Sequence, residues 1–313
     1  MSFDLAFYSK KELNRNQIFD FLKSLEVFQL SDNKFVKSCQ FWYQNPDTNV
    51  YFSFDLTKDS ENRELMEMIS KEEKLNFKGF FDTGLSFNMN FIRHSLFKEE
   101  AFSIVEKVIE KFNLYVVDFQ NQDKIAPQKY LVNHLKSSWE LSNATAIKRM
   151  EKEGNLKGGS YGYPLKRQCI SYIWKWQLNR NKMQDNVEKS GNVEFVPNIF
   201  LHIYNKTQKI TSFFSWVPTI ESYFPLTDEI CVVFETKKLF GKSQTVRVFK
   251  WQDVFGLLKK KLKSVDKELK YYVYNPKNYP NILNELDKIT HVVLSKDWSR
   301  LNLDQVIDEE YLK

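Results

Sequence analysis

Residues 84–93 read Gly-Leu-Ser-Phe-Asn-Met-Asn-Phe-Ile-Arg, and no other stretch limits the fold of this chain as tightly. Leu85, Phe87, Met89 and Phe91 fall on one side of an extended backbone; Ser86, Asn88 and Asn90 fall on the other. A strict period of two describes a strand with one face in a core and the other wet or turned to a cleft, as antiparallel sheets allow. Asn is poorly suited to strands, so amides at alternate positions ask for a reason. A recognition surface is one; a solvated outer face is the plainer one. Arg93 and His94 close the strand, and loop residues at strand ends are common places for function.

The flanking sequence supplies partners for such a strand. Phe3–Tyr8 predicts a strand, and Ile18, Phe19, Leu22 and Leu25 give residues 11–25 a helical stripe. The runs Phe35–Tyr43 and Val50–Leu56 flank Asn45-Pro46-Asp47-Thr48-Asn49, which predicts a hairpin. A polar segment at 60–73 reads as a short exposed helix, residues 97–112 as an amphipathic helix and Leu114–Phe119 as a closing strand. The order β-α-β-β-(α)-β-α-β is close to a ferredoxin-like sandwich with an added strand and helix.

The fold class predicted is therefore α+β, with a ferredoxin-like domain over 1–120. Residues 121–192 are polar, with helices expected at Ser137–Met150 and Ile170–Lys189, and read as a helical connector. Residues 193–313 read as a second antiparallel α+β domain. It holds a hairpin of Val196–Tyr204 with Ile210–Val217, strands at Ile230–Glu235 and Thr245–Lys250 and a helix at Trp251–Leu262. A strand at Tyr271–Tyr274, a helix near 280–288 and a strand at His291–Leu294 complete it. A chain of 313 residues exceeds what one core comfortably serves, which agrees with two domains.

Composition excludes several classes. Hydrophobic residues are 42% and charged residues 27%, the mix of a globular chain rather than a disordered one. Cys39, Cys169 and Cys231 give neither a disulfide framework nor a CxxC ligand pair, so a reducing compartment is expected. The start reads as a strand running into a helix rather than as a signal peptide, and no window is a membrane span. The expected location is cytoplasmic. His94, His134, His202 and His291 show no metal-ligand spacing, and phosphate-binding glycine loops are absent, so no metal or cofactor is expected. The literal GxSxG at Gly158–Gly162 lacks the apolar strand before it and the clean helix after it that a nucleophile elbow needs. A hinge loop is the expected reading, and no catalytic residue is assigned.

Charge is uneven. Residues 1–140 carry 18 Lys and Arg against 21 Asp and Glu, whereas residues 141–290 carry 25 against 14. The excess is densest at 148–182, where Lys148, Arg149, Lys166, Arg167, Lys175 and Arg180 interleave with Tyr172, Trp174 and Trp176. Cations that track phosphates and rings on which bases stack are what single-strand nucleic-acid binding needs. The plainer reading makes the rings anchors to a core and the cations a wet face.

The segments MSFDLAFYSKKELN, FWYQNPDTNVYFSFDL and GLSFNMNFIRHSLFKEEAF resemble a group of uncharacterised bacterial proteins that share such a start and such a strand ahead of an amphipathic helix. The likeness covers the first ~120 residues, and it implies no activity and no site residues. In character the chain is similar to small aromatic-rich immunity proteins that neutralise toxins. Three functions follow as expectations. The first is a non-enzymatic interaction protein whose partner is another protein, met at Ser86, Asn88, Asn90, Arg93 and His94 or on the connector. The second is nucleic-acid binding through 148–182, and the third an enzyme whose site lies at the domain junction.

Overall fold

The computed structural model describes residues 2–32, 34–58, 74–120, 125–129, 131–156, 162–190, 194–238, 241–260, 262–266, 269–290 and 298–313, and for 235–244 the backbone alone. The helix expected at 60–73, the strand expected at 291–294, and Lys157 to Tyr161 of the glycine loop lie outside the described residues. The protein is a mixed α+β structure whose sheets are mostly antiparallel. It divides into a first unit, Met1–Arg167 with Asp304–Lys313, and a second unit, Gln168–Leu303, inserted within the first.

In the first unit, β1 (Ser2–Ser9), β2 (Phe28–Leu30), β3 (Ser38–Gln44), β4 (Tyr51–Thr57), β5 (Phe81–Asn90) and β6 (Tyr115–Asp118) form one antiparallel sheet in the order β2-β3-β4-β5-β1-β6. Helices α1 (Arg15–Ser24), α2 (Phe97–Phe112) and α3 (Val132–Lys152) add their apolar stripes to its core. Phe3, Leu5 and Phe7 of β1, Phe54 of β4 and Phe87 of β5 are fully buried there, with Ile18, Phe102 and Trp139 from the helices. The amphipathic stripe read from residues 97–112 appears unchanged as α2, which ends at Asn113 in the left-handed conformation (φ 52°). The hairpin turn is closed as its composition predicts: the Asn45 carboxamide oxygen accepts from Asp47 N at 3.0 Å and Thr48 N at 3.4 Å.

Strand β5 starts three residues earlier than the sequence suggests, because Gly84 is part of the strand rather than its boundary. Its φ of +69° and the 2.4 Å that would separate a Cβ from the Thr57 carbonyl both require glycine. The Arg15 guanidinium, which donates to Thr57 O at 2.9 Å, fills the remaining space.

The stretch read as a connector is shared between the units. Helix α3 belongs with the first, because Leu135 and Trp139 are buried in its core. The last ten residues also belong with the first unit, where β16 (Val306–Asp308) pairs in parallel with β7 (Tyr163–Leu165). Gly162 allows this pairing: a Cβ there would lie 2.6 Å from Ile307 Cγ2.

The second unit holds a sheet of β8 (Phe200–Tyr204), β9 (Lys209–Trp216), β11 (Glu229–Lys238), β12 (Gly241–Lys250) and β15 (Trp298–Leu301), ordered β12-β11-β9-β8-β15. The expected hairpin is β8–β9. β9 and β11 run parallel, a departure from the antiparallel expectation, because residues 217–228 carry the chain back before β11 begins. A small sheet of β10 (Ser222–Phe224), β13 (Lys263–Ser264) and β14 (Tyr272–Tyr274) shares a core with α5 (Trp251–Leu258) and α6 (Ile282–Leu286). Helix α4 (Arg167–Lys189) buries Ile170, Ile173, Trp174 and Trp176. Among the described residues no helix is long and apolar enough to cross a membrane.

Candidate functional site at the end of strand β5

The antiparallel register lays the polar side of β5 into rows across the sheet. Trp42, Ser53, Asn88 and Asp4 are successive partners along one row; Gln40, Asp55, Ser86 and Ala6 are partners along the next. Ser86, Asn88 and Asn90 are each half-buried rather than fully wet. Asn88 donates to the Asp4 carboxylate at 2.5 Å, and Asn90 donates to the Tyr51 hydroxyl at 3.1 Å. Burial raises the Asp55 carboxyl above its ordinary range, against the lowering effect of hydrogen bonds from Gln40 and Ser53.

Beside these rows Arg93 stands with two other half-buried side chains, Trp42 and Tyr51, that the amide pattern alone does not reveal. Trp42 stacks on Tyr51 with ring centroids 5.6 Å apart and planes 22° apart. The Arg93 guanidinium lies 5.3 Å from the Tyr51 ring centroid, and its Nε donates to the Tyr51 hydroxyl at 3.1 Å. The period of the 50–56 run puts Tyr51, with Ser53 and Asp55, opposite Phe52 and Phe54 without marking it as a site residue, and Trp42 goes unread. The signal for them was the hairpin register, which puts Trp42 and Tyr51 on the side opposite Phe41, Phe52 and Phe54.

The backbone that delivers Arg93 is held from two sides. Ile92 is buried with φ +63°, a left-handed conformation that a β-branched residue adopts only under strain. The fully buried Asn143 of α3 secures it: its carboxamide oxygen accepts from Ile92 N at 2.8 Å and its nitrogen donates to Arg93 O at 2.8 Å. On the other side, the fully buried Asp308 carboxylate accepts from Ser95 N at 2.6 Å, Ser95 Oγ at 2.9 Å and Arg167 Nε at 2.7 Å. Arg167 also reaches Glu140 at 3.0 Å. Burial works to raise the Glu140 carboxyl, but Lys98 and Arg167 outweigh it and hold the group below its ordinary range.

The pair Arg93 and His94, read together in the sequence, is separated. Arg93 is half-exposed, whereas His94 is fully buried against the edge of Phe97, with ring centroids 4.9 Å apart. Neither His94 ring nitrogen has a hydrogen-bond partner among the described residues. Burial, and then the Arg93 charge, push its pKa down to about 3, so the ring is neutral at physiological pH. Glu99 and Glu100 do more than favour a helix dipole: Glu99 pairs with Lys136 at 2.7 Å, and Glu100 accepts from Tyr43 OH at 2.8 Å and Asn45 at 2.9 Å. Among the described residues, no group of three or more His, Cys, Asp and Glu side chains could hold a metal ion.

The basic stretch is divided. Lys148 and Arg149 are exposed on α3 in the first unit, and Lys175 and Arg180 sit on α4 in the second. Lys166 is exposed, and Arg167 is committed to Asp308 and Glu140. The rings expected to interleave with these cations point inward. Trp176 is fully buried and donates to Pro197 O at 2.8 Å, Trp174 is 9% exposed, and the Tyr172 hydroxyl accepts from Leu226 N at 2.8 Å. These rings anchor α4 to its own unit.

A buried polar cluster in the second unit escaped the sequence reading. His202 Nε2 lies 2.6 Å from Thr211 Oγ1 and 3.3 Å from Glu229 Oε2, with the rings of Tyr204, Phe213 and Trp298 around it. Both partners converge on one ring nitrogen, so the imidazole does not bridge them as a relay would. Alternation of Phe200, His202 and Tyr204 along β8 was the available signal. The chain matches no protein-family model, no curated protein and no solved structure.

Proposed function

We propose that this protein is a non-enzymatic cytoplasmic interaction module that takes a protein partner on the polar side of β5. In this reading the first unit is a ferredoxin-like plan enlarged by strands, in which two crossing helices cover one sheet face. The opposite face carries the recognition surface. The observation that supports it is the partly exposed Trp42–Tyr51 stack, with Arg93 on the Tyr51 hydroxyl, beside the Asn90 end of the polar side of β5. Trp, Tyr and Arg are the residues that dominate binding energy at protein interfaces, and held side chains lose little entropy on binding. Arg93 is held by its hydrogen bond to Tyr51 and by a backbone turn fixed through Asn143.

The test is affinity capture from native lysate with the wild-type chain, the Trp42→Ala/Arg93→Ala variant and Lys148→Ala. The expected result is a stoichiometric protein recovered by wild type and by Lys148→Ala and lost from the double variant. Recovery by all three, or by none, overturns the proposal.

A further inference from the structure

A cleft of about 440 Å³ runs along α4 within the second unit. One wall is the helix face that carries Trp174, Lys175, Leu178 and Lys182; the other holds Leu269 and Tyr271. Its volume lies in the range of sites that take small ligands. Lys175 and Lys182 stand two helical turns apart on this wall, on the order of 10 Å at 1.5 Å per residue. Both are exposed, and neither forms an ion pair with an acid among the described residues. Among the described lining residues Asp266 is the acid, and its carboxylate accepts from Leu269 N at 2.6 Å. Between the two lysines Leu178 is 44% exposed, an apolar side chain left open where a helix in water would favour a polar one.

Two cations unpaired among the described residues, with an exposed leucine between them and the Tyr271 ring opposite, describe one class of ligand. We infer that this cleft binds an amphipathic anion: a short acyl or aromatic body laid over Leu178 and against Trp174 and Tyr271, with its carboxylate or phosphate head between Lys175 and Lys182. The site is separate from the β5 surface and does not rest on the protein-partner reading. A single-stranded polyanion fits it poorly, because the fully buried Trp176 offers no face on which a base could stack.

The test is fluorescence titration of the full chain with 8-anilino-1-naphthalenesulfonate, followed by displacement with octanoate, octyl phosphate, octyltrimethylammonium, inorganic phosphate and a single-stranded oligonucleotide. The expected result is saturable binding to one site, displaced by octanoate or octyl phosphate and not by the other three. The stronger displacer of the two identifies the head group. Lys175→Glu/Lys182→Glu is expected to weaken the probe at least tenfold with the thermal midpoint unchanged, and Leu178→Glu, at an exposed position, to do the same independently. Lys148→Glu is expected to leave it unaltered. Absence of saturable binding, indifference to both variants, or displacement by the cation, by inorganic phosphate or by the oligonucleotide overturns the inference.

Discussion

Replacing Asp308 with alanine tests the physical basis of the β5 site most sharply. The carboxylate is fully buried and accepts three hydrogen bonds, two from Ser95 and one from Arg167. Asp308→Ala leaves the Ser95 N–H and hydroxyl as buried donors without acceptors, at about 1–3 kcal/mol for a buried group left unmet. The Arg167 share is smaller, because its side chain is 42% exposed and it retains Glu140. Together the loss comes to roughly 2–4 kcal/mol, toward the low side of the roughly 3–5 kcal/mol of breaking a wholly buried ion pair. With a urea m-value of about 2 kcal/mol per M, the midpoint of the first unit falls by about 1–2 M. Equilibrium unfolding by far-ultraviolet circular dichroism measures this, with hydrogen exchange across residues 92–96 reading the turn itself. Asp308→Asn keeps one acceptor and is expected to lose less. A midpoint within about 0.3 M of wild type, together with unchanged exchange at 92–96, refutes the claim that the tail fixes this turn.

Three further outcomes are expected. His94 has a folded pKa of about 3 against about 6.5 when unfolded, so the unfolded state binds more protons between those values. Its contribution to stability is therefore complete above pH 6.5 and is lost as pH falls toward 3, at up to about 1.4 kcal/mol per pH unit; His94→Leu is expected to flatten this acid limb in a series of thermal melts. Gly84→Ala places a Cβ at 2.4 Å from the Thr57 carbonyl on a φ of +69° and is expected to cost about 2 kcal/mol or more, read as a lowered urea midpoint. Trp176→Ala empties a fully buried site and breaks its bond to Pro197, for a loss of about 3–5 kcal/mol in the second unit by the same assay.

How much of this was legible in the sequence depended on the range of the interactions. The strand at β5, the helix at 97–112 and the hairpin at 45–49 rest on periodicity and turn chemistry within a few residues, and each stands near its expected place. The amides of Ser86–Asn90 were legible as one face of a strand. Tyr51 was legible as polar-side within its own strand, but the stacking of Trp42 on it beside Asn88 and Arg93 was not, because that depends on the register of three strands. The clasp at Asp308 was invisible for the same reason, since it joins residues more than two hundred positions apart. The basic stretch shows the opposite failure. Rings and cations adjacent in sequence point to different sides of a helix, so composition suggested a single surface where α4 separates core from solvent.

The central claim, that the polar side of β5 meets a protein, is tested most directly by photo-crosslinking in the source cell with a photoreactive residue placed at Asn88, and in a separate chain at Leu141, which is 71% exposed on α3. A discrete heavier species containing a second protein is expected from position 88 and none from position 141. The same adducts from both positions, or no adduct from position 88, would contradict it.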